Sequence, residues 1–103
     1  MLKQIKQVSL AHDNGRLTPE GNLTIESVPA IDKQLRSILP GLEKKVVIDL
    51  SHATSNDTAG LAWLINLKAT LTKKNIQLTL ENVPESLKKL SKLSDADTLL
   101  EIK

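Results

Sequence analysis

Ten consecutive residues, Thr58 to Leu67, carry no charge, and they follow directly on an apolar run and a polar loop. An ordinary surface helix shows a polar face within its first three turns, so a helix built from this segment needs cover on two sides. Upstream, Val46, Val47, Ile48 and Leu50 form an apolar, largely β-branched run of the kind found in a strand covered on both faces. Ser51 to Asp57 supplies the turn chemistry between strand and helix. Asp57 stands where an N-cap carboxylate accepts hydrogen bonds from the first free amides of a helix beginning at about Thr58.

At 100° per residue, Gly60, Leu64, Leu67 and Leu71 share one stripe that suits packing on a sheet, with Leu61 beside it. Ala59, Ala62, Trp63, Asn66 and Thr70 fall on a second, flatter stripe. Two kinds of cover fit that second stripe: another layer of the same domain, or a partner protein. Trp63 is a candidate anchor for a partner, because tryptophan is enriched where large area and one polar handle are buried together. A core tryptophan is the competing reading. Gly60, lacking a side chain, lets the helix start approach its own sheet or a partner backbone closely.

The flanking sequence places this segment in an α/β fold. Ile5 to Ala11 and Arg16 to Glu20 flank Asp13-Asn14-Gly15, a tight-turn signal, so the chain is expected to open with an antiparallel hairpin. Gly21 and Asn22 are expected to break the second strand. Val28, Ile31, Leu35, Ile38 and Leu39 recur at helical spacing, with Pro29 in the first turn and Pro40-Gly41 ending the segment. Ile76, Leu78 and Leu80 alternate with polar residues as a half-exposed strand. Pro84 opens a third helix carrying Leu87, Leu90 and Leu93, and Asp97 to Ile102 is read as a last short strand. Three successive strand, helix, strand units imply right-handed crossovers and parallel pairing after the hairpin. The expected architecture is a mixed β-sheet opened by an antiparallel hairpin, with α-helices packed on it.

With 103 residues the chain suits a single domain spanning 1–103 with one core. A net charge of +2 is too small to argue for nucleic acid, and one aromatic residue provides no stacking platform for single strands. The absence of cysteine excludes disulfides, thiol catalysis and thiolate metal sites. Residues 1–10 include Lys3 and Lys6 and lack the apolar core of a signal peptide, so a cytoplasmic location is expected. The uncharged run is half the roughly 20 residues a membrane span needs, so direct membrane insertion is not expected.

Neither His12 nor His52 has a second ligand at metal spacing, and there is no nucleophile elbow, dinucleotide fingerprint or Walker A sequence. Asp49 at the end of the apolar strand reads as a hydrogen-bonded carboxylate rather than a metal ligand. No catalytic residue, cofactor or metal is therefore assigned, and the chain reads as a non-enzymatic interaction domain.

Asp49-Leu50-Ser51 followed by Asn56-Asp57-Thr58-Ala59-Gly60-Leu61 resembles the signature of STAS domains, named after sulfate transporters and anti-sigma factor antagonists. Gly21-Asn22-Leu23 resembles the family's Gly-x-Leu bend after the second strand, and Asn82-Val83-Pro84 the opening of its third helix. The resemblance covers essentially the whole chain. In the antagonists, the residue after the signature Asp is phosphorylated by a partner kinase, and the matching residue here is Thr58. The antagonists usually carry Ser followed by a further small residue and then Gly-Leu-Gly. Here Thr58-Ala59-Gly60-Leu61-Ala62 is closer to a branch found in Gram-negative bacteria, the MlaB-like cytoplasmic subunit of the Mla phospholipid ABC transporter.

That likeness implies a subunit that binds and supports the transporter ATPase, and through it a membrane permease, in maintaining outer-membrane lipid asymmetry. The protein would then sit in the cytoplasm, peripheral to the inner membrane. The implied partner-binding residues are Ser55, Asn56, Asp57, Thr58, Ala59, Gly60 and Leu61, and the position of Trp63 on the second stripe adds it to them. The alternative is an anti-sigma factor antagonist, partnered by a serine/threonine kinase anti-sigma factor and regulated by phosphorylation at Thr58.

Overall fold

A computed structural model describes residues 9–102. The opening hairpin pairs β1 (Ser9–Asp13) with β2 (Arg16–Leu23) in antiparallel register from Ser9 opposite Glu20 to Asp13 opposite Arg16. Asn14 and Gly15 both adopt positive φ, 50° and 78°, the combination a two-residue hairpin turn needs to match strand twist. The part of the first expected strand before Ser9 lies outside the described residues.

Gly21 and Asn22 do not end β2. Gly21 takes φ 109° and the register shifts between Gly21 and Leu23, so the residues expected to break the strand form an irregularity within it. β3 (Lys45–Asp49) runs parallel to the start of β2, with Leu17 opposite Ile48. The polar loop after β3 is shorter than expected. Only Ser51 and His52 turn, and Ala53–Asn56 forms β4, which continues parallel beside the end of β2. Pro19, which has no N–H to donate, falls between the β3 and β4 pairings along β2.

β5 (Gln77–Glu81) pairs in parallel with β3 over its whole length, completing the order β1-β2-β3-β5 with β4 beyond the end of β3. α1 (Val28–Ile38) links β2 to β3 and ends in a 3-10 turn at Leu39–Gly41. α2 (Thr58–Lys73) links β4 to β5, and α3 (Glu85–Leu93) follows β5.

The helices cover one face of the sheet. Leu17, Pro19 and Leu23, Val46 and Ile48, and Leu78 point inward, while Arg16, Glu20, Lys45, Gln77 and Thr79 on the alternate positions are exposed. Ile31 and Leu35 of α1, Leu61, Leu64, Leu67 and Leu71 of α2 and Leu87 of α3 join that core, which is built almost wholly from aliphatic side chains. Leu93, expected with them, is 85% exposed at the end of α3.

The last expected strand is absent. Asp97 to Glu101 forms turns in which Leu100 N–H donates to the Ala96 carbonyl and Ile102 N–H to that of Asp97, and only Ala96 and Leu100 are buried. Among the described residues there are two strand, helix, strand units rather than the three expected, β2-α1-β3 and β4-α2-β5.

Candidate functional site at the start of α2

Asp57 uses every polar group it has. Its backbone is extended, at φ −135° and ψ −171°, so the carboxylate turns back over the first turn of α2. Oδ1 accepts from the Ala59 N–H at 2.9 Å and the Gly60 N–H at 3.1 Å, which is the N-cap expected from the sequence. Oδ2 accepts at 3.0 Å from the backbone N–H of Ile25, in the connection between β2 and α1. The Asp57 N–H donates to the Leu23 carbonyl, and its carbonyl accepts from Leu61 N–H. The Ile25 amide, ahead of those of Gly60 and Ala59, holds the carboxyl below its usual range, with burial opposing.

Gly60 is required for steric reasons. A Cβ there would overlap the carbonyl oxygen of Leu23, the same carbonyl that receives the Asp57 N–H. The helix start thus sits directly on the backbone of β2, and Leu61 beside it is buried.

The structure separates the candidate residues into layers. Ser55 and Thr58 are exposed, Asn56, Asp57 and Ala59 are half-buried, and Gly60, Leu61 and Trp63 are buried. The Thr58 hydroxyl makes no hydrogen bond among the described residues. From it, Ala62, Asn66, Ala69 and Thr70 continue an exposed and uncharged face along α2.

Trp63 does not belong to that face. It is 4% exposed and sits in the core, because it lies only about 40° around the helix from Leu67 and the covered sector of α2 extends that far. Its indole Nε1 and the Asn56 Oδ1 are buried without hydrogen-bond partners among the described residues.

A second cluster lies at the end of β3 on the open face. Asp49 Oδ1 accepts from the Ser51 N–H at 3.0 Å and from Asn82 Nδ2 at 2.9 Å, and Oδ2 meets Arg16 Nη2 at 3.0 Å. Arg16 reaches on to Glu81 at 2.8 Å. Asn82 first, then the Ser51 amide, with a smaller contribution from Arg16, holds the Asp49 carboxyl well below the ordinary carboxylate range. This is the hydrogen-bonded strand-end role, and among the described residues no three His, Cys, Asp or Glu side chains converge to hold a metal.

His52 is exposed in the β3–β4 turn. His12 lines a shallow hollow of ≈ 250 Å³ with Asn14, Gly15, Gly41, Glu43 and Lys45, at the far end of β3 from Asp49. Residues the sequence reading left out of the site are Leu23, whose carbonyl seats the helix, and Ile25, whose amide shares the Asp57 carboxylate. Their signal was the Gly-x-Leu bend, which marks the place without revealing what it touches.

The sequence family described as "Mlab, STAS domain" matches residues 7–101. The chain belongs to that STAS family. STAS domains are typically binding or regulatory modules rather than enzymes. The chain also shares its fold with the anti-sigma factor antagonist SpoIIAA in its unphosphorylated form, at a TM-score of 0.63 and 13% identity, covering 93% of this chain and 99% of that one. A crystal structure of Mglu aligns at a TM-score of 0.57 and 16% identity over 75% of this chain but 19% of its own. No curated protein matches this STAS chain. No helix among the described residues is long and apolar enough to cross a membrane.

Proposed function

We propose that this protein is a non-enzymatic STAS accessory subunit that binds and supports the ATPase of a phospholipid-transporting ABC complex. Membrane association then comes through the ATPase and its permease, and the complex serves outer-membrane lipid asymmetry in a Gram-negative bacterium. The observation that carries this reading is the exposed, uncharged face running from Thr58 along α2, held rigid at its start by Asp57 and Gly60. Such a face suits a close-fitting macromolecular contact and lacks the grouped acids, bases or nucleophiles of an active site. The family description supports the choice of partner.

A second reading is an anti-sigma factor antagonist, favoured by the fold shared with SpoIIAA and by the exposed Thr58. Phosphate on Thr58 would be attracted by the helix N-terminus and repelled by Asp57, and it would disrupt an uncharged contact.

Affinity capture of the tagged protein from its own host in mild detergent, with mass spectrometry of Thr58, separates the two. An ABC ATPase and permease with unmodified Thr58 support the first reading, whereas a serine/threonine kinase with phosphate on Thr58 replaces it. Thr58→Glu is expected to weaken ATPase binding by more than about 2 kcal/mol, since it places an unpaired charge in a desolvated contact. Near-wild-type affinity would remove Thr58 from the interface.

A further inference from the structure

Ile25 is 71% exposed, yet it sits on a loop hydrogen-bonded on both sides of it. Its own N–H is held by Asp57 Oδ2. On its C-terminal side, buried Ser27 accepts the Thr24 N–H at 2.9 Å through Oγ and donates that hydroxyl to the Asn22 carbonyl. The Ser27 and Val28 amides both return to the Thr24 carbonyl. A single exposed apolar side chain is ordinary on a protein surface. Ile25 differs because the carboxylate that fixes its backbone also fixes the first turn of α2, so Ile25 and Thr58 are parts of one rigid unit.

We propose that Ile25 is the apolar anchor of the Thr58 surface and inserts into an apolar socket on the ATPase subunit. This rests on the reading given under Proposed function and adds a determinant outside α2. A β-branched side chain on a pinned loop loses little rotamer or backbone freedom on binding, so more of its burial appears as affinity. Charge defines the rim of the socket. Glu26, next to Ile25, is exposed and forms no ion pair among the described residues, while the α2 face beyond Thr58 is uncharged through Leu67. The complementary partner surface is therefore an apolar socket with a basic residue on the side that meets Glu26.

The test measures affinity for the purified ATPase subunit of the host's phospholipid-transporting ABC complex, using the full-length protein and its Ile25→Ala, Ile25→Val, Glu26→Lys and Thr58→Glu variants. Thermal melts are run in parallel. Ile25→Ala is expected to weaken binding about tenfold or more with an unchanged melting temperature, and Ile25→Val to stay within about twofold of wild type. Glu26→Lys is expected to slow association and to flatten or reverse its salt dependence. If Ile25→Ala binds like wild type while Thr58→Glu does not bind, the anchor is refuted and the transporter reading stands. If the wild-type protein itself does not bind the ATPase, both fall together.

Discussion

Asp57 and Asp49 are both carboxylates at the end of a strand, each holds three hydrogen bonds, and each is held more acidic than an ordinary Asp. They differ in what they hold. Every partner of the Asp57 carboxylate is a backbone amide, two in its own helix and one across the fold at Ile25. Asp49 binds one nearby amide and two side chains, Asn82 and Arg16, the latter 44% exposed. Backbone amides in a seated helix are positioned whether or not the carboxylate is present, so they are preorganised donors to it. Long side chains must be ordered for each bond, and water competes for them. The fastening under the proposed partner surface is therefore expected to carry more stability than the network on the open sheet face.

The largest expected effect tests whether steric seating or the cap dominates at the start of α2. Gly60→Ala is expected to destabilise the fold by about 3 kcal/mol, because backbone cannot retreat from a Cβ as a side chain can. A urea denaturation midpoint close to wild type would show that the helix start can lift off Leu23. Next, Asp57→Ala is expected to cost about 2 kcal/mol, at the upper end for a cap because the Ile25 tether is lost as well. Asp49→Ala is expected to cost about 1 kcal/mol, leaving Arg16 and Asn82 to solvent. Equal losses for the two Asp variants in the same denaturation series would show that side chains fasten a carboxylate as firmly as backbone amides do.

The smallest effect concerns acid. Both folded-state pKa values lie below the unfolded value of about 3.9, so their stabilisation is complete above that pH. It fades as pH falls through the folded-state values, because the unfolded chain takes up protons that the folded chain does not. Stability measured from pH 7 to pH 2 should therefore be flat with respect to these groups down to about pH 5 and decline below it. Asp57→Asn and Asp49→Asn should each remove part of that decline, and an unchanged acid slope in both would show that neither carboxylate is coupled to folding.

Much of this was legible from residue order. The hairpin turn at Asn14-Gly15, the spacing of α1, the alternation in β5 and the Asp57 cap all depend on contacts a few residues apart, and each is present. The errors lie where the outcome depends on distant chain. β4 exists because the end of β2 offers an unpaired edge to residues that by themselves read as loop. Asp97 to Ile102 has strand-like residues, but turns that bury only Ala96 and Leu100 satisfy its core contacts. Trp63 stands at the border of two stripes, where the sequence pattern leaves both readings open and the width of the covered sector decides.

The sequence by itself determined the strand and helix periods, the cap and the absence of charge along the start of α2, because periodicity and capping are local properties of the backbone. Tertiary structure decided which stripe remained open, why residue 60 must be glycine, and that Ile25 shares a carboxylate with the helix it faces. Those outcomes need segments more than thirty residues apart to meet, as Ile25 and Asp57 do, and chain order alone does not specify the geometry of such a meeting.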